Sequence, residues 1–231
     1  WDSNFKGVWH LKETTGGAGA IKDATSNANN ATDNGGTLLA QTGKIGNGVK
    51  FDGVNDYLAT GSFVGAADVT AAFWFKPTTL WDTADGRKDM FSKHCQGVWI
   101  LLNYPTNTGK IDNEINCNSP AQTTTVSWAA DTWYHYASAH AGSTTRIYID
   151  GVLQTTAATA ALNAGSEALH MGARDGFNYA DMTFDEPRFS HAARSADWVE
   201  AEYLFTNDSS KYTYGGEEAP VTTTTTLSLG A

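Results

Sequence analysis

Ile45-Gly46-Asn47-Gly48-Val49-Lys50-Phe51-Asp52-Gly53-Val54-Asn55-Asp56-Tyr57-Leu58 carries the local rules that run through the whole chain. Gly46 and Gly48 allow a turn at positive φ ahead of a short strand. Val49 and Phe51 alternate toward one face of that strand. Asp52-Gly53 reads as a hairpin dipeptide, and Tyr57-Leu58 opens the next strand. Short period-two strands joined by tight turns predict an antiparallel all-β protein.

The rest of the sequence has the same texture. Its 231 residues fit one large all-β domain, and 41% are apolar, enough to fill the space between two sheets. Charged residues make up only 17%, and solubility rests on Thr, Asn and Ser. The net charge of -10 repels phosphate backbones, and no Lys/Arg cluster offsets it, which argues against a nucleic-acid partner. No apolar run is long enough to span a bilayer, and no stretch of these residues reads as a signal peptide. A chain opening at Trp1 is expected to be a processed or excised piece. Cys95 and Cys117 lack the spacing of a zinc site and flank two predicted strands, either as one disulfide or as two buried thiols.

In order along the chain, alternation predicts strands within 1–12, 68–75, 90–93, 97–104, 110–117, 123–128, 133–137, 146–150, 168–172 and 184–189. Asp150-Gly151 is a second hairpin turn, and Pro77 ends a strand. Pro187 within Phe184–Phe189 suggests an edge strand or a bulge. Residues 13–40 read as a long polar loop. Ser195 as N-cap and Asp197 in the first turn predict one helix bearing Trp198, Ala201 and Glu202.

Eight of these segments, in order, resemble the signatures of laminin-G-like, concanavalin A-like domains. They include Phe51-Asp52-Gly53 with Asp56-Tyr57, Phe73-Trp74-Phe75-Lys76-Pro77, Trp133-Tyr134-His135, Tyr148-Ile149-Asp150-Gly151 and Phe184-Asp185-Glu186. The resemblance spans roughly residues 5–205. It implies an all-β, two-sheet antiparallel jelly-roll β-sandwich with one short C-terminal helix, over residues 1–212. Residues 213–231, with Thr222–Thr226, then form a linker or a tail strand able to join a neighbouring copy. It also implies a secreted or cell-surface location, which favours the disulfide.

The implied task is carbohydrate binding without catalysis, with a glycan or glycoprotein as partner. Exposed aromatics beside amides and carboxylates suit sugars, because C–H faces stack on rings while hydroxyls pair with polar groups. The candidates are Trp81 and Asp82, Trp99 and Tyr104, and the loop residues Phe177, Asn178 and Tyr179, with Trp81 expected to be exposed. Family practice further implies a structural Ca²⁺ held by Asp23, Ser26 and Asp185, oxygen donors suited to a hard cation. Against it stand an Asx turn at Asp23 and an arginine partner for Asp185.

Two alternatives remain. One is an adhesin or filament subunit assembling through its tail. The other is a glycoside hydrolase or lyase, although the E-x-D-x-x-E strand of catalytic relatives is absent. Asp112 and Glu114 share a strand face at ~6.6 Å, within the ~5–9.5 Å used by glycosidases, but outward charge alternation explains them as well. His135 reads as structural rather than as a base.

Overall fold

The computed structural model describes residues 1–208 except His94, Gln96, Pro105 and Ala164, and leaves aside the side chains of Val64, Asn118 and Ser119. The segment 213–231 and the boundary at 212 lie outside the described residues. Two antiparallel sheets form the sandwich. The larger has eight strands. Its path runs β13 (Val152–Ala158), β12 (Thr144–Ile149), β11 (Tyr134–Ala141), β6 (Val69–Pro77), β15 (Asp181–Ser190), β4 (Asn47–Asp52) and β3 (Leu38–Thr42). Strand β1 (Phe5–Val8) also pairs with β15. The other sheet has seven strands: β10 (Asn118–Gln122), β9 (Ile111–Ile115), β8 (Val98–Leu102), β7 (Lys88–Ser92), β14 (Ser166–Met171), β5 (Tyr57–Val64) and β2 (Ala31–Asn34).

Alternation builds the core. Along β6, Val69, Ala71, Phe73 and Phe75 point inward, where Phe73 stacks on Tyr136 with ring centroids 5.1 Å apart. Val49 and Phe51 of β4 and Ile147 and Ile149 of β12 join them. The opposite face of β6 presents Ala72, which with Ala137 and Tyr148 receives Val199 of helix α1 (Ala196–Asn207). Ser195 caps that helix by accepting from the Trp198 N–H. The buried helix positions are Val199 and Glu202, so its inner face carries a charge.

The hairpin at Asp150-Gly151 forms as expected. Ile149 pairs with Val152, and both turn residues have positive φ, 52° and 76°. Asp52-Gly53 does not close a hairpin. It carries the chain from β4 in one sheet to β5 in the other, because Phe51 and Leu58 both face the interior from opposite sides. The polar stretch 13–40 contains β2 and the start of β3, and 123–128 contributes only a bridge at Trp128. Pro187 lies in a central strand, at a bulge between Asp185 and Arg188 where Glu186 adopts φ 51°. Cys95 and Cys117 are joined as a disulfide with Cα atoms 4.7 Å apart. Among the described residues no helix is long and apolar enough to cross a membrane.

Candidate functional site

The outward face of β7, β8 and β9 gathers most of the polar and aromatic chemistry. Register places Asp89, Leu101 and Asp112 in one cross-strand row and Ser92, Trp99 and Glu114 in the next. Asp89 is fully buried and accepts three donors: Trp99 Nε1 at 2.9 Å, Asn178 Nδ2 at 2.9 Å and Arg87 Nε at 3.2 Å. Held by that carboxylate, the Arg87 guanidinium lies 4.1 Å from the Trp99 ring and 4.7 Å from the Tyr104 ring. Arg174 approaches Trp99 to 4.7 Å. The result is a layered stack of cations and aromatic rings over a carboxylate floor.

The carboxylates beneath it are strained by burial. Desolvation pushes Asp112 up to about 6, opposed by the Gln122 amide at 2.5 Å. Burial also raises Asp89 and Glu114. Glu114 Oε2 and Arg174 Nε are buried with no protein hydrogen-bond partner among the described residues. The folded protein thus keeps protons that the unfolded chain releases just above pH 3.8, and Asp112 takes stability from the fold as pH rises toward 6.

Of the expected site residues, Trp99, Tyr104 and Asn178 come together here. Phe177 sits on the same loop as Asn178 and is 62% exposed. Its turn is set by the Arg174–Phe177 bridge, with positive φ at Asp175 and Gly176. Tyr179 points toward Tyr57 instead, with ring centroids 6.4 Å apart. Trp81, expected at the surface, is wholly buried. It bridges Trp128, stacks on Phe75 at 5.9 Å and donates Nε1 to Asp181, so the loop it begins closes the end of the core. Asp82 serves its own loop by accepting from the Ala84 N–H at 2.7 Å. Asp89 escaped the sequence reading as a site residue, and the alternating Arg87-Lys88-Asp89 was its only local signal.

The residues expected to share a cation do not fit one. Asp23 accepts from Val8 N, Thr25 N, Thr25 Oγ1 and Asn29 N at 2.8–3.0 Å, ordinary hydrogen-bond distances. It ties the 23–29 loop to β1 as an Asx turn, and Ser26 is an exposed member of that loop. Among the described residues Asp185 pairs with no arginine. It accepts Ile45 N at 2.8 Å and Glu186 N at 2.9 Å, and burial pushes it up to about 7. Backbone N–H groups already donate to both carboxylates. Among the described residues no three His, Cys, Asp or Glu side chains converge for a metal. EDTA is therefore expected to leave the melting temperature unchanged. A calcium-induced rise that Asp185→Asn abolishes would restore the shared-cation reading. His135 is buried beside Trp74, and desolvation lowers it to about 3, leaving a neutral structural imidazole.

Comparison with known proteins comes last. The family model described as the concanavalin A-like lectin/glucanases superfamily (Laminin_G_3) matches residues 51–200. No curated protein matches the sequence. Among solved structures, domain 4 of AbnA, an extracellular arabinanase of Geobacillus stearothermophilus solved with arabinotriose, superposes with a TM-score of 0.67 at 19% identity, covering 86% of this chain and 97% of that one. The binding domain of Paraclostridial Mosquitocidal Protein 1 gives 0.68 at 14% identity, covering 87% and 52%. Botulinum neurotoxin type C, described as dependent on two ganglioside molecules to enter cells, gives 0.66 at 9% identity, covering 88% and 51%. The chain spans about half the length of these toxin chains. At such identities the likeness is one of fold.

Proposed function

We propose a function from one premise: the chain belongs to the concanavalin A-like lectin/glucanases superfamily, whose model covers residues 51–200. Its task is to bind carbohydrate outside the cell without cleaving it. The observation that carries this reading is the Arg87–Trp99–Tyr104 stack fixed by Asp89. Trp99 is the buried base of the stack rather than a contact, being 2% exposed. Ligand contact falls to Tyr104 and Phe177 for sugar C–H faces, and to Arg87, Arg174, Asn178 and Gln122 for hydroxyls. Arg87 and Asn178 held by Asp89, and Gln122 held by Asp112, suit hydroxyl recognition because little side-chain entropy is lost on binding. The fold relatives solved with arabinotriose or linked to gangliosides support the choice of ligand class. The disulfide supports an oxidising compartment.

Calorimetric titration with arabinotriose, beside a broad neutral glycan array, tests this. Tyr104→Ala and Phe177→Ala are each expected to weaken binding roughly tenfold. Silence across the array sinks the proposal. The second reading, hydrolysis, is favoured by one observation: Asp112 and Glu114 share the outward face, and both are pushed toward the protonated form by burial. Release of reducing sugar that disappears in Glu114→Gln would put that reading first.

A further inference from the structure

The outward face of the other sheet divides into two halves. Helix α1 covers one, over Ala72, Ala137 and Tyr148. The other half is a polar pocket of about 230 Å³. Its floor is a cross-strand row: Thr183 of β15 pairs with Lys50 of β4 on one side and with Lys76 of β6 on the other. Strand spacing puts the two lysine Cα atoms ~10 Å apart, and both lysines line the pocket. Gln41 and Thr78 add polar walls, and Asp131 stands exposed at the rim.

Two features set this row apart. The chain carries 25 acidic residues against 15 lysines and arginines, yet neither Lys50 nor Lys76 forms an ion pair among the described residues. Lys88, by contrast, is bridged to Asp181 at 2.6 Å. Like charges flanking one strand position repel, and among the described residues no carboxylate, Asp131 at the rim included, pairs with either lysine. Beside the pocket, the half-buried ring of Trp133 lies 5.4 Å from the Lys76 ammonium. A flat apolar ring beside the Lys76 ammonium, with a second lysine and hydroxyls lining the same pocket, matches a sugar that bears a negative charge.

The geometry points to a second binding site, for an acidic sugar unit. Its carboxylate or sulfate lies between Lys50 and Lys76 over Thr183, and its ring lies against Trp133. This goes beyond the neutral-glycan platform and sits on the opposite sheet, so each fails or succeeds by itself.

The test is titration of the intact chain with oligogalacturonate, a sulfated oligosaccharide of equal length and a neutral oligosaccharide. One acidic ligand is expected to bind, with affinity falling as salt rises. Lys50→Gln and Lys76→Gln should each weaken it roughly tenfold or more, and Lys76→Arg should keep most of it. Trp133→Ala should weaken it too, while Tyr104→Ala leaves it unchanged. Preference for the uronate names a carboxylate, and preference for the sulfated chain names a sulfate. Melting temperatures of the lysine variants within a few degrees of the parent show that they fold. Should they fold and bind the acidic ligands as the parent does, or should neither acidic ligand bind the parent, the site is overturned.

Discussion

Arg188→Met is expected to destabilise the protein by about 3–5 kcal/mol, lowering its melting temperature by roughly 10 °C. Arg188 is 7% exposed between sheet and helix. Its two terminal nitrogens donate to Glu202 at 2.5 Å and to Glu186 at 2.8 Å. Glu186 also accepts from His10 at 2.8 Å. Burial works against the charge on Glu186, but His10 and Arg188 together hold it below the usual range. Burial raises Glu202 despite the arginine. Removing the cation leaves two buried carboxylates facing each other. Both then take up protons in the folded state, so the deficit is largest at neutral pH and shrinks as pH falls toward the ordinary glutamate range. Thermal melts of parent and variant between pH 4 and 8 check this. An equal deficit at both ends would mean the loss is one of packing. Replacing Arg188 and Glu202 together by apolar residues should return part of the stability, since the pair repays little beyond its own desolvation.

Asp89→Ala is expected to cost about 3 kcal/mol or more and to abolish neutral-glycan binding. Three donors lose their acceptor at once: Arg87, Trp99 and Asn178. Arg87 then loses the carboxylate that fixes it over Trp99 and Tyr104, and the platform loses its anchored cation. Denaturant melts measure the first effect and calorimetry the second. A variant that melts lower but binds as before would show that the stack is scaffolding rather than site. Acidic-sugar binding at Lys50 and Lys76 should survive, because that row belongs to the other sheet.

Much of this architecture is legible in local pattern. The Ala71–Phe75 alternation, the Asp150-Gly151 turn and the Ser195 cap each follow from residues a few positions apart, and each forms as read. What depends on distant pairing does not show. Trp81 follows a Pro-terminated strand among polar neighbours, which reads as surface. Its burial comes from Trp128, far along the chain. Asp52-Gly53 has hairpin chemistry, but the destination of the next strand is decided by which sheet still has a free neighbour. Asp185 and Glu186 are neighbours on β15, and at the bulge around Pro187 both are buried, with Glu186 opposing ionisation of Asp185. The lysine row is invisible for the same reason. Positions 50, 76 and 183 become neighbours only through the register of three strands.

The pairing of β1 with β15 has a consequence for how the molecule is made. Phe5 meets Ser190, and Val8 meets Arg188, so the earliest strand waits for one almost two hundred positions later. A nascent polypeptide leaving the ribosome cannot finish the larger sheet until that late strand has emerged. Most of the apolar interior stays open to wrong partners until then, and topologies of this kind assemble slowly. The protein should consequently lean on chaperones during synthesis more than its final stability would suggest.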